Sequence, residues 1–517
     1  MQWNATPRSS PRSEWPVLAA LVLVILAGAW LRSAEWFDPW AGLHRSWGGA
    51  VYANMARNLV RYDLADTRLG LIASTGVVAP SDFEFYYHHP PLNVWAMALS
   101  SGLFGVGEAS ARAVSLAASL AAMGLLYALA AQLYSRRAGL AAVALLAFMP
   151  AEVYYADHVD PYGSLGLGLV LLAVWGYARY LSEGRTRDLV VCIVGVTAGC
   201  LTTWTPYFAL PLLLAHAALS LPREQWRERA GLLILPLCGL LAFALFVFHR
   251  QLLLGSVAGS ADAELYGSLL EKLASRGVWA SWFSAEGPNA VQGWHQHRLD
   301  LWHLMTPLPL ALFAAWALAA ARRALGGAIS ARDGIPCILL GYGLLHSLAF
   351  PGTLHGHDFL VRCYSTGLAL CGGAVLAAFW DRLRKSGGIG LALGCAAAGF
   401  AFWLALALPR VAELRVREWD PAEVVERADT IRLGTHEDTQ VLLGMETSRV
   451  LQYYIDRPVE FAVGSPDRLT ELAAAGRDVV WIVPPGRALL MAPALRKIPH
   501  SALRVGGMVF FRIEPAH

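Results

Sequence analysis

The segment Tyr86-Tyr87-His88-His89-Pro90-Pro91 lies between apolar runs long enough to cross a membrane. Imidazoles move protons or meet anions near neutral pH, and a Pro-Pro step holds them on stiff backbone. Two of them at a lipid boundary point to polar chemistry at the membrane surface. Other residues could join them. Asp38 and His44 precede a helical stretch, 50–62, on which Asn54, Arg57, Asn58 and Arg61 recur at i, i+3, i+4 and i+7. That spacing makes one polar face. Its arginines offer the forked N–H donors that a departing phosphate needs. The plainer alternative is an interfacial amphipathic helix with tryptophan anchors. Asp157 and Asp160 flank the start of another apolar run, where carboxylates are often functional, although a solvated loop would also place them there. His355, His357 and Asp358 form a second polar turn, with ligand types that could take a divalent metal; the spacing fixes no cofactor. For His88-His89 the plain alternative is a rigid turn with Pro91 opening a helix.

These groups need a frame, and composition supplies it. The 517 residues are 56% hydrophobic and 15% charged. A soluble chain carries about 25% charged residues. Apolar runs at 17–33, 111–134, 138–156, 161–181, 188–204, 206–221, 230–249, 301–320, 335–351, 360–380 and 388–409 predict eleven spans. The first reads as an anchor rather than a cleaved leader. A twelfth run, 92–106, follows Pro91 and is too short for a core of about 30 Å, so it is expected to lie at the interface. Hardly any ionisable residue lies mid-span; His216 and His346 are the main polar exceptions. A net charge of +3 gives no sign of a nucleic-acid partner. The seven cysteines lie in apolar segments without metal-ligand spacing, which argues against a disulfide framework.

Arginine placement orients this frame. With Arg8 and Arg12 in the cytoplasm, the short basic loops at Arg136-Arg137, Arg185 and Arg187, Arg223 to Arg229, Arg322 to Arg332 and Arg382 to Lys385 all fall inside. The opposite side receives the long first loop (34–110), Asp157 to Asp160, the 250–300 loop, His357-Asp358 and the tail. Function is expected on the outer face. Residues 411–517 alternate short β-forming runs (441–445, 459–463, 479–483, 508–513) with helical ones (423–431, 448–455, 466–475). They predict a small α/β domain with a largely parallel sheet, following a membrane domain at 1–410. No glycine-rich phosphate loop occurs in the tail.

Several stretches, taken in order, resemble the polytopic GT-C glycosyltransferases that use polyprenyl-phosphate sugars, such as the protein O-mannosyltransferases and the aminoarabinose transferases of lipid A. Ala50 to Asn58 is similar to that family's first-loop helix, and His89-Pro90-Pro91-Leu92 to its His-Pro-Pro motif. Glu108 to Arg112 resembles its Glu-x-x-x-Arg step, Tyr154 to Asp160 its second acidic segment, and Leu201 to Pro206 its break before proline. Tyr453 to Pro458 resembles its tyrosine-rich Arg-Pro step in the tail. One departure stands out. The family's Asp-Glu pair before the Ala-x-Tyr of the first-loop helix is Gly48-Gly49 here.

The resemblance implies an all-α polytopic membrane protein with a small C-terminal α/β extracytoplasmic domain. It would sit in a bacterial inner membrane with its N-terminus inside. It implies transfer of a hexose or pentose, with inversion, from a polyprenyl-phosphate donor to a protein, lipid or glycan acceptor among membrane lipids. On that reading Asp38, His44 or Asp157 is the base. Arg57, Arg61, His88, His89, Arg112, Asp160, His357 and Asp358 would bind donor phosphate or substrate. The competing classes are a transporter or flippase for lipid-linked sugars, which often shows two related halves not seen here, and an inactive homologue lacking its acidic pair.

Overall fold

A computed structural model describes residues 15–40, 44–256, 290–327, 330–354, 356–415, 421–443, 449–460, 466–483, 488, 495, 498–505 and 508–513. Within them, six helical stretches are long and apolar enough to cross a membrane: Trp15–Arg32, Glu108–Leu133, Ser164–Glu183, Ala230–Leu253, Pro307–Leu325 and Asp358–Leu414. The last contains the helix Ser365–Leu414, interrupted at Gly388, where φ is +74° and ψ 179°. Only glycine adopts that conformation without strain, so the run divides into two arms, matching the two spans expected there. Side chains such as Leu237, Leu240 and Phe248 remain more than half exposed, as they must where lipid covers them.

The other four expected spans lie on shorter or interrupted helices. Residues 138–156 do not form one rod: helix Arg136–Phe148 stops, Met149 is extended, and Pro150–Tyr154 begins a separate turn. Proline has no N–H to continue the ladder, which leaves carbonyls unpaired at the break. Arg32 meets them, donating to Ala147 O at 2.6 Å and Leu146 O at 2.9 Å. Residues 188–204 and 206–221 give Thr186–Cys200, then a 3₁₀ turn and Ala209–Ser220; 335–351 gives Ala331–Ala349 with Pro336 inside. Length and hydropathy therefore do not reach eleven spans among the described residues. Near the ends of three of the runs, Arg32, Glu152 and Arg362 are buried. The short helix Leu92–Phe104 buries Asn93, Val94, Met97, Ser100 and Ser101, and exposes Leu99, Leu103 and Phe104.

In the tail, β1 (Gln440–Leu443), β2 (Val459–Glu460), β3 (Val479–Val483), β4 (His500–Val505) and β5 (Met508–Ile513) form one sheet in the order β2-β1-β3-β5-β4. The pairs β1–β2 and β1–β3 are parallel; β3–β5 and β4–β5 are antiparallel. The sheet is thus mixed, not largely parallel. The missing piece is β4, whose mostly exposed residues lack the alternation that marks a half-buried strand. Residues 444–445 and 461–463, also expected in strands, lie outside the described residues.

The sheet's helix Arg449–Ile455 packs on the first-loop helix His44–Arg61. Asp456, next in the chain, takes Arg57 at 3.1 Å and Arg61 at 2.6 Å. Gly76 lies against the Arg457-Pro458 backbone so tightly that a Cβ would fall 2.1 Å from the Arg457 carbonyl carbon. The Tyr454 hydroxyl donates to Glu108 and accepts from the Trp40 N–H.

Candidate active site

The site is organised by the turn between Pro150–Tyr154 and Ser164–Glu183. Arg362 holds that turn from beneath. Its guanidinium bonds both carboxylate oxygens of Glu152, at 3.1 and 3.0 Å, and also Tyr155 O and Ser164 Oγ, each at 2.9 Å. Ser365 Oγ donates to the same carboxylate at 2.8 Å. A forked donor facing a carboxylate in a dry interior fixes orientation as well as charge. Gly163 closes the turn, since a Cβ there would lie 2.4 Å from His158 O.

Held this way, the turn presents Asp160. Its carboxylate accepts from the Tyr162 N–H at 2.8 Å and from the Tyr52 hydroxyl. Tyr52 Oη lies 3.0 Å from Tyr86 Oη. Burial disfavours the carboxylate and pushes its pKa up to about 7, against the pull of those two hydrogen bonds. Such a group exchanges its proton near neutral pH, which suits a general base.

Histidines and aromatic rings surround it. Tyr86 lies 4.9 Å from the His88 ring and 6.1 Å from that of His89, and His89 meets Tyr162 edge-on at 5.1 Å. Trp204 Nε1 donates to His88 O at 3.0 Å, and the Leu92 N–H to Leu201 O at 3.0 Å. The break after Cys200 therefore supports the His-Pro-Pro step. Phe359 joins Tyr162 to His158, at 5.9 and 5.2 Å, and carries His357 on its other side at 5.4 Å.

The glycine pair has a clear geometry. A Cβ on Gly48 would lie 3.6 Å from His158 Cε1 and 3.9 Å from Asp160 Oδ2, which is ordinary contact. A Cβ on Gly49 would enter the Trp40 ring at 2.4 Å. Position 48 thus faces Asp160 without a clash, whereas Trp40 fills the space beside position 49. Gly48→Ala should unfold at the temperature of the parent protein. Gly49→Ala should lose about 1–3 kcal/mol through overpacking. Thermal melts of the two purified variants check this; equal midpoints would show that Trp40 yields freely.

Other expected site residues occupy different surroundings. Arg112 is buried. It donates to the carbonyls of Glu35, Trp36 and Asp38, stacks over Trp40 at 4.1 Å, and lies 3.4 Å from the Asp157 carboxylate. Asp157 is therefore ion-paired, and Asp38 joins this knot through its backbone. The polar face of the first-loop helix is a docking face rather than a cavity wall. Asn54 and Asn58 donate to the carbonyls of residues 72–74, while Arg57 and Arg61 reach Asp456. His44 opens its helix, but its side chain lies outside the described set, as does His355. Asp358 begins the 3₁₀ segment Asp358–Tyr364. Among the described residues, no three His, Cys, Asp or Glu side chains form a group that could hold a metal ion.

Sequence reasoning missed Tyr52, Tyr86, His158, Tyr162, Glu152, Arg362 and Arg250. Glu152 and Arg362 carried a signal, a lone acid and a lone base inside apolar runs, for which pairing is the usual explanation. Arg250 is buried, with its guanidinium 5.8 Å from the Tyr87 ring centroid, beside the two histidines in sequence. Tyr86 adjoins the two histidines and Tyr52 lies in the Ala-x-Tyr stretch, so position pointed to both, but not to their contact with each other.

Comparison with known proteins follows the same outline. Residues 88–249 match the family described as dolichyl-phosphate-mannose-protein mannosyltransferase. Over 150 residues the chain is 31% identical to the undecaprenyl phosphate-alpha-4-amino-4-deoxy-L-arabinose arabinosyl transferase of Pseudomonas savastanoi pv. phaseolicola; the match covers 28% of this chain and 27% of that relative. The chain thus aligns with about a quarter of that protein's length. Among solved structures, ArnT from Cupriavidus metallidurans bound to undecaprenyl phosphate superposes with a TM-score of 0.66 at 13% identity, covering 97% of this chain and 98% of that one. The oligosaccharyltransferase AglB from Archaeoglobus fulgidus gives 0.58 at 12% identity, covering 97% and 74%.

Proposed function

We propose that this chain, a multi-pass membrane protein with the GT-C fold of ArnT and AglB, is a glycosyltransferase that takes its sugar from a polyprenyl-phosphate carrier. The observation that carries the reading furthest is Asp160, a buried carboxylate poised near neutrality and ringed by tyrosines and histidines. Asp160 is assigned as the general base in place of Asp38, His44 and Asp157. It takes the proton of the acceptor hydroxyl as that oxygen attacks the anomeric carbon. The bond from that carbon to the phosphate oxygen breaks, and the polyprenyl phosphate leaves with the electron pair. Attack from the face opposite the leaving group inverts the centre. Tyr52, bonded to Asp160, holds the carboxylate in place, and Tyr86 extends that contact towards the histidines. His88, His89 and Arg250 are assigned to the departing phosphate, because Arg57, Arg61 and Arg112 are engaged elsewhere. The relative named for arabinose transfer favours a pentose donor.

The direct test is incubation of purified protein with synthetic polyprenyl-phosphate pentose and hexose donors and membrane extract, following sugar release. Release from neither donor would sink the reading. The orientation is a second part of the proposal. Reporter fusions after Leu140 and Asp160 should read inside and outside respectively. The reverse would put Asp160 on the cytoplasmic face, away from an outer acceptor.

A further inference from the structure

The tail grips the first-loop helix His44–Arg61 at both ends. Near the head the link is Trp40, whose ring fills the space beside Gly49 and whose N–H donates to the Tyr454 hydroxyl at 2.6 Å. Tyr454 donates in turn to the Glu108 carboxylate, so one oxygen ties two segments of the membrane domain. At the foot, Arg57 Nη1 donates to Tyr453 O at 3.0 Å, and its guanidinium lies 4.7 Å from the Tyr453 ring centroid. The Asp456 carboxylate takes Arg57 and Arg61 together. Between these grips Val450 and Tyr453 pack into one apolar cluster with Trp40, Ala50, Tyr52 and Ala53.

Tyr52 lies between the two grips, and its hydroxyl donates to Asp160. A helix is stiff, so fixing both ends fixes where Tyr52 sits. The titratable groups around Asp160 are Tyr52 on that helix, Tyr86, His88 and His89 on the first loop, and His158 and Tyr162 in its own turn. Asp157, in the same turn, is taken up with Arg112, and His346 and His357 lie a ring further out, against Tyr162 and Phe359. Among the described residues no ion pair reaches Asp160. Two hydrogen bonds hold its charged form against burial, the Tyr162 N–H from its own turn and Tyr52 from the helix that the tail grips. We propose that the tail braces this second bond: Tyr454 and Asp456 are positioning residues that hold Tyr52 on Asp160, although neither bonds to it. What the brace means for turnover rests on the sugar-transfer reading; the brace itself does not.

The test follows infrared spectra of the full chain in detergent against pH, reading the carboxylic-acid C=O band that Asp160→Asn removes. In the parent its midpoint is expected near 7. Tyr52→Phe should raise it by about 1–2 pH units, the worth of a hydrogen bond to a charged group. The double variant Tyr454→Phe with Asp456→Asn, which loosens both ends of the helix, should raise it in the same direction by at least about 0.5 unit. Asparagine keeps the left-handed backbone at position 456, where φ is +47°, and phenylalanine keeps the ring, so both changes spare the fold. If the double variant still fails to fold, Tyr454→Phe alone, which removes one oxygen, should give a smaller rise. Arg477→Ala breaks an exposed pair with Asp82 that joins tail and first loop away from this helix, and should leave the midpoint in place. An unmoved midpoint in the tail variants, or an equal rise in Arg477→Ala, overturns the proposal. The infrared reading needs no donor. If the midpoint rises and the rising limb of kcat does not follow it, the brace stands and the assignment of Asp160 as base falls.

Discussion

Asp160→Asn is expected to cut turnover 10²–10⁴-fold, the usual cost of losing a general base, with donor binding intact. The parent enzyme should carry a pH signature of the same group. Its base works when ionised, so kcat should rise with pH and level off above about 7, where burial has moved the carboxyl. The variant should lack that rising limb. Stability runs the other way. A carboxyl whose folded pKa is raised contributes stability below its unfolded value of about 4. That contribution is lost as pH rises through about 7. At pH 8 the Asn variant should therefore melt no lower than the parent, which separates lost chemistry from lost fold. Normal turnover across the whole pH range would remove Asp160, and the base would have to be sought at Asp38, His44, Asp157 or around His357 and Asp358.

The second large effect lies under the site. Arg362→Ala should destabilise the protein by about 3–5 kcal/mol, because it leaves Glu152 buried and uncompensated. Glu152→Ala should cost a similar amount by stranding the guanidinium. The double variant Glu152→Leu with Arg362→Met should recover much of the loss, since an apolar pair of similar size needs no desolvation. Thermal unfolding of the three variants gives the coupling directly. Activity should not recover in the double variant, because Arg362 also ties Tyr155 O and Ser164 Oγ on either side of Asp160. If Arg362→Ala melts with the parent, the turn is held by something other than this pair.

What the sequence disclosed follows from the kind of signal each part carries. Apolar runs and loop arginines are read against a bilayer, and seven of the expected spans coincide with the six long apolar stretches. The runs broken at Pro150 and Pro206 were harder, because hydropathy ignores the missing N–H that ends a helix. In the tail, β1, β2, β3 and β5 stood out as short runs of β-forming residues. The glycine pair before Met508 was the available sign of β4, since a two-residue glycine step favours a hairpin. At the site, residue types were legible and partnerships were not. Arg57, Arg61 and Arg112 have the chemistry of phosphate ligands. Their destinations are Asp456, Asp157 and backbone carbonyls, set by contacts across dozens to hundreds of residues. Asp160 was legible as a carboxylate near a membrane edge. Both it and its neighbour Asp157 are buried, and what distinguishes Asp157 is the guanidinium beside it.

The two glycines at the head of the first-loop helix also bear on the history open to this chain. Any glycine codon becomes an aspartate or glutamate codon by one base change, so mutation reaches an acid equally easily at either position. Selection does not meet the two changes equally. A side chain at position 48 would start in ordinary contact with His158 and Asp160, without a clash at its Cβ, and an acid there could spread at once if it helped. An acid at position 49 would drive into the Trp40 ring, and that ring is clamped by Arg112. Placing acids at both positions therefore requires Trp40 to shrink first, a step that offers nothing by itself. Acids are thus unequally open to the two positions: at 48 one is a single step away, and at 49 it waits on Trp40.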